Sequence, residues 1–117
     1  MCRSKKLTIN DKVLLCDGDH LKLVALRDVR FFETYGNYSK THFSGGRLLI
    51  HKSLSYLESR LPEEMFFRAN RQYIINVWHV EDICSSDNTV IKIEMSCGKR
   101  VDLSRRRTQL FKSRMSI

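Results

Sequence analysis

Turn signals recur so often along this chain that no long secondary element fits between them. Asp17-Gly18-Asp19, Tyr35-Gly36-Asn37, Ser44-Gly45-Gly46 and Ser96-Cys97-Gly98-Lys99 each gather residues that tolerate positive φ or favour reversals. The segments they separate are short and rich in β-formers. They predict strands over Lys12–Cys16, Leu21–Leu26, Asp28–Thr34, Tyr38–Phe43, Arg47–His51, Val80–Cys84, Thr89–Met95 and Arg100–Leu103, with a loop at 85–88. Helical spacing occurs twice. Ser53 can cap a helix running to Arg60, where Leu54, Leu57 and Leu61 form one stripe and Pro62 ends it. Ser104 can cap a second over Arg105–Ser113. Eight or nine short strands with two short helices make a mainly β domain.

At 117 residues the chain has room for one domain, 1–117, with a modest core. With 42% hydrophobic residues, one proline and no low-complexity tract, it has the composition of a folded protein. No apolar stretch is long enough for a bilayer, so no membrane partner is expected. The basic start, MCRSKKLTIN, is followed by polar residues where a signal peptide would be apolar, and a cytoplasmic location is expected. The formal net charge of +8 points to a polyanionic partner. From Lys99 to Arg114 seven basic residues face one acid, Asp102, and Met65–Val80 holds Arg68 and Arg71 with no acid. Such runs serve either as solvated surface or as an anion site. Cys2, Cys16, Cys84 and Cys97 and the four histidines show no zinc spacing, so free thiols, some of them buried, and neither metal nor cofactor are expected.

Residues that catalyse are hard to find. There is no Ser/His/Asp grouping, phosphate loop or HExxH, and Glu63-Glu64 reads as a solvated pair, so no enzyme is expected. His51, with Lys52 beside it, suits a phosphate contact or an idle surface position, whereas His79 next to Trp78 reads as structural. The segment FFRANRQYIINVW is apolar at both ends and carries two arginines and two amides between them. It reads as a core strand whose polar interior, Arg68 to Gln72, is a loop or bulge turned outward. Arginine pairs with guanine and asparagine or glutamine with adenine in the major groove. The turn Tyr35-Gly36-Asn37-Tyr38 and the helix start Ser104-Arg105-Arg106-Arg107 are two further polar sites of the same kind, the second also suited to phosphate.

Four pieces in order carry a family resemblance. Gly36-Asn37-Tyr38 is similar to a "gNY" turn, and Ser53-Leu54, Leu57-Glu58 and Leu61-Pro62 to an "sL..Le..LP" helix. Phe66, Arg68, Arg71 and Tyr73-Ile74-Ile75-Asn76 follow "F.R.hRsyivN", and Leu103-Ser104-Arg105 follows "vSR". From about Leu21 to Phe111 the chain resembles the LytTR-type DNA-binding domain, the output domain of LytR/AlgR-type bacterial response regulators. The resemblance implies an elongated domain of small stacked antiparallel sheets with two short helices. It also implies a sequence-specific transcription factor that puts loops, not a recognition helix, into successive major grooves of double-stranded DNA. By position, base contacts fall to Asn37, Arg71 and Arg105, with Asn70 and Tyr38 beside them. Phosphate contacts fall to His51, Lys52, Gln72, Arg106 and Arg107. The chain departs from the family at Asn70, where histidine is usual, and at Gln72, where serine is usual, which puts the recognised sequence in doubt more than DNA binding itself.

Other residues of the motif have structural assignments. Arg68 is expected to pair with Glu33 or Glu58, Asn76 to satisfy backbone groups, and Phe66, Tyr73, Ile75, Leu54 and Leu57 to lie in the core. The family implies paired promoter sites bound as a homodimer, or through a receiver domain, for which this chain is too short; alone it is expected to be monomeric. A complete one-domain regulator and the C-terminal part of a longer one are equally compatible. The competing class is a basic β-rich interaction module for an acidic protein or RNA, which would bind without regard to DNA sequence.

Overall fold

The turn signals close hairpins where the sequence places them. The computed structural model describes residues 6–85 and 89–117, and within these it has ten strands and two α-helices. The strands β1 (Lys12–Asp17) and β2 (His20–Ala25) form a separate two-stranded ribbon. Five strands follow as a second sheet: β3 (Val29–Tyr35), β4 (Tyr38–Phe43), β5 (Gly46–Ile50), β6 (Phe66–Arg68) and β7 (Tyr73–Asn76), in the order β5-β4-β3-β7-β6. The third sheet is β10-β9-β8, from β8 (Val80–Ser85), β9 (Ile91–Met95) and β10 (Arg100–Asp102). All pairings are antiparallel. With α1 (Leu54–Arg60) and α2 (Arg105–Met115) the body measures 46 × 31 × 26 Å, elongated as the resemblance implies.

Adjacent apolar residues in the central sheet serve two cores. Side chains alternate across a strand, so Phe31, Phe67 and Ile75 point to one face while Phe32, Phe66 and Ile74 point to the other. The first face packs on the three-stranded sheet and α2 through Ile91, Ile93, Met95, Val101, Leu103 and Phe111. The second packs on the β1–β2 ribbon and α1 through Leu15, Val24, Leu54, Leu57 and Leu61. A register shift between Val29 and Phe31 in β3 lets Val29 and Phe32, three apart, share this second core. Two-sided burial is why the central strands carry doublets such as Phe31-Phe32 rather than a simple apolar-polar alternation.

Several expectations are corrected. Residues 66–76 are two strands of a hairpin rather than one core strand, and of the two alternatives for the polar interior, loop or bulge, it is the loop, since Phe67 pairs with Ile75 and Arg68 with Ile74. The strand expected to reach Leu26 ends at Ala25, because Leu26–Asp28 turns into one 3-10 unit. The helix α2 continues to Met115, its last turn bearing Lys112 and Arg114, cations that suit the negative end of the helix dipole. Tyr73 is half-buried rather than in the core, with its hydroxyl donating to Glu33 Oε2 at 3.3 Å. Cys16, Cys84 and Cys97 are exposed, not buried. Cys16 sits on the ribbon's outer side, Cys84 on the exposed β8 and Cys97 in a turn. Cys2 and most of the loop expected at 85–88 lie outside the described residues.

Two polar groups of β4, one buried and one half-buried, carry consequences for stability. The Oγ1 of Thr41 is buried on the α1 side of the sheet, opposite Phe32, with no hydrogen-bond partner among the described residues. Thr41→Val keeps the shape and removes the orphan, so urea denaturation should show a gain of about 1 kcal/mol. His42 stacks on Phe31 with centroids 4.1 Å apart, and its Nε2 lies 3.0 Å from Glu33 Oε1. Burial holds its pKa below the ordinary 6.5, the Glu33 hydrogen bond opposing. The contact is therefore a neutral imidazole bonded to a carboxylate near pH 7. Above pH 6.5 both folded and unfolded states hold the neutral ring; below it the unfolded chain binds the proton first, so stability falls. A pH series of melting curves should show that loss below pH 6.5, reduced in His42→Gln.

Candidate nucleic-acid interface

One end of the central sheet gathers the polar turns. The β3–β4 turn, the β6–β7 loop and the segment leading from β5 into α1 all leave the sheet at the same end, because antiparallel hairpins alternate ends strand by strand. The N-terminus of α2 joins them: Ser104 N–H donates to Ala69 O at 3.4 Å and the Asn70 amide donates to Asp102 O. The order across this end is Lys52, then Asn37, then Arg71, then Arg105. Five strands spaced by about 4.8 Å make the sheet part of that row ~19 Å wide.

The β6–β7 loop is held from within. Asn70 Oδ1 accepts from Gln72 N–H at 2.7 Å and Tyr73 N–H at 3.0 Å, an Asx-type arrangement that shapes the reversal. Arg68 faces the α1 side because it stands opposite Ile74 in the pleat. Its guanidinium donates to Asn70 O at 2.8 Å, Arg71 O at 3.2 Å and Glu58 Oε1 at 3.0 Å. This realises the expected Arg68–Glu58 pair and ties the loop to α1. The other oxygen of Glu58 lies 3.9 Å from Arg107 Nη2, so one carboxylate links α1, the loop and α2. With Arg68, Asn70 and Glu58 engaged inward, Arg71 projects outward.

Local devices fix the remaining pieces. Tyr35 pairs with Tyr38 around a two-residue turn in which Gly36 takes φ 61°, a conformation glycine adopts freely, and Asn37 is exposed at the tip. Tyr38 stacks on His51 at 4.6 Å, and Ser39 Oγ donates to Lys52 O at 2.6 Å, so the β3–β4 hairpin positions the start of α1. Ser53 Oγ accepts from Tyr56 N–H at 3.1 Å and Ser104 Oγ from Arg107 N–H at 3.2 Å, capping both helices as expected.

The sequence-predicted residues thus fall at one end of the molecule, with different freedoms. Asn37, Tyr38, Arg71, Gln72, Arg105 and Arg106 are exposed, and the guanidinium groups of Arg71, Arg105 and Arg106 have no hydrogen bond or ion pair with described residues. Arg107 is half-buried beside Glu58, and the amide of Asn70 serves the loop and the β10 end. Ser55, not singled out in the sequence, and Glu58, expected there only as a partner of Arg68, line the groove between the loop and α2 together with Arg68, Arg71, Arg106 and Arg107. Glu58 lies within the helix motif, yet its bridging role depends on partners far along the chain. Among the described residues no group of three or more His, Cys, Asp or Glu could hold a metal ion, and no helix is long and apolar enough to cross a membrane. Exposed guanidinium and amide groups on rigid turns can contact base edges and phosphates of a duplex.

Comparison with known proteins agrees with this geometry. Residues 19–116 match the family model described as the LytTr DNA-binding domain. The transcriptional regulatory protein BtsR of Escherichia coli K12 is 29% identical over 109 residues, covering 91% of this chain and 44% of that protein. The sensory transduction protein LytT of Bacillus anthracis is 31% identical over 99 residues, 85% of this chain and 37% of that protein. The chain therefore spans less than half the length of these curated relatives. A solved LytTr DNA-binding domain from Bacillus cereus superposes with a TM-score of 0.83 at 23% identity, covering 92% of this chain and 98% of that one.

Proposed function

The chain belongs to the LytTr DNA-binding domain family, and we propose that it is the sequence-specific duplex-reading part of a bacterial response regulator, working in the cytoplasm. The observation that carries the reading is the convergence of three loops and the α2 N-terminus on one end, with Arg71, Arg105 and Arg106 exposed there. Arg71 and Arg105 read bases, each able to pair bidentately with guanine. Asn37 and Tyr38, at the tip of the β3–β4 hairpin, contact a second stretch of groove. His51, Lys52, Gln72, Arg106 and Arg107 contact phosphates. Asn70 acts chiefly by shaping the loop that presents Arg71, since its amide already bonds to Asp102 O and two loop N–H groups.

The role is binding without catalysis. Paired promoter sites are bound by two copies, with a second copy or a receiver domain supplying the coupling between them. Selection of bound duplexes from a random library at physiological salt tests the reading. A paired motif that Arg71→Ala no longer recovers is expected; affinity indifferent to sequence would instead favour a basic module for RNA or an acidic protein. Lys52→Ala and Arg106→Ala should each weaken binding to every duplex similarly. In titrations across a salt series each should also flatten the slope of log affinity against log salt by about one.

A further inference from the structure

The second core opens to solvent along a groove that adjoins the proposed reading end at His51 and Lys52. Among the described residues β1 pairs with β2 alone and β5 with β4 alone, so the two strands lie side by side without a shared ladder. The space between them, bounded by α1, is a groove of about 510 Å3, within the roughly 300–1,000 Å3 of small-ligand pockets. Its floor is apolar: Leu15, Leu26, Phe32 and Leu57. At its margin stand Lys12, Lys52 and Arg60, and none of the described residues lining it is acidic.

An apolar slot under a cationic margin is complementary to an amphiphile with one apolar chain and an anionic head, of which a carboxylate is the simplest. The chain leaves water for the floor, and the carboxylate pairs with the ammonium and guanidinium groups. A nucleic acid would meet the cations but has no aliphatic tail for the floor. We propose that this groove binds a medium-chain carboxylate, and that occupation weakens DNA binding because Lys52 and His51 belong to both surfaces. The two are mechanically joined: Tyr38 stacks on His51, and Ser39 bonds to Lys52 O. Coupling to DNA rests on the functional reading above, whereas occupancy of the groove does not.

The test titrates decanoate, decanol and decyltrimethylammonium, each below its micellar concentration, into the 15N-labelled chain without DNA. Saturable amide shifts centred on β1, 50–61 and the floor residues Leu26 and Phe32 are expected, with decanoate at least tenfold tighter than decanol and the cation weakest. Lys12→Glu, at an exposed position outside the reading end, should cost decanoate about tenfold and leave decanol unchanged. Equal affinity for all three amphiphiles, shifts centred on 70–72 and 104–107, or no saturable shift would overturn the site. With the selected duplex, saturating decanoate should weaken binding of the parent about tenfold. Groove binding with unaltered duplex affinity would overturn the coupling. Groove binding by a chain that selects no DNA sequence would overturn the functional reading, and the coupling with it, while leaving the site standing.

Discussion

Arg71→Ala is expected to lower affinity for the selected duplex by about 1–3 kcal/mol, roughly five- to 150-fold, and Arg105→Ala by a similar amount. The losses should be specific. Anisotropy titrations against a scrambled duplex should show a much smaller change, since removing one cation costs only its share of phosphate attraction. Neither guanidinium supports the fold, so melting curves should shift by no more than about 0.5 kcal/mol, as for ordinary surface substitutions. This separates them from Arg68, whose three inward hydrogen bonds make it part of the scaffold. If both alanine variants bind the selected site like the parent, the assignment of base contacts to the β6–β7 loop and the α2 N-terminus fails.

A large loss of stability is expected at Asn76. Its side chain is fully buried; Nδ2 donates to Val29 O at 2.8 Å and Leu26 O at 3.5 Å, while Oδ1 accepts from Trp78 N–H at 2.9 Å. These bonds fasten the end of β7 to the turn before β3 and start the 3-10 unit Val77–His79. Asn76→Ala leaves a buried carbonyl and a backbone N–H without partners, at a cost of about 2–3 kcal/mol in urea denaturation. A loss below about 0.5 kcal/mol would mean that those backbone groups find other partners at little cost.

Much of this architecture was legible because its determinants are local. Ser53 and Ser104 announce helix starts through a hydroxyl three residues from the N–H it receives, and Gly18, Gly36 and Gly98 mark reversals. The hairpin at 66–76 was misread as a single strand for a physical reason. Phe66-Phe67 and Ile74-Ile75 are apolar on consecutive positions because both sheet faces are covered, and such a run carries no alternation from which to infer pairing. Exposure of Cys16 depends on which side of the ribbon faces outward and that of Cys84 on what covers β8, both tertiary facts. At the proposed reading end, residue type and motif single out Arg71 and Arg105, and both are exposed there. The occupation of Asn70 was not legible, since its partner Asp102 is 32 residues away. Glu58 was legible in part: its pairing with Arg68 was one of two expected, whereas its contact with Arg107 comes from an element that only the folded chain brings near.

The double-sided central sheet sets strict rules for changes in chain length. One residue inserted just ahead of Phe66 would exchange the two phenylalanines between cores and carry Arg68 from the α1 side, where Glu58 waits, to the α2 side. The same insertion between Asn70 and Gln72 would leave both cores in frame and alter only what the tip presents. Descendants of this chain can therefore acquire new reading tips by lengthening or shortening their loops, while the strands that carry them hold a fixed reading frame.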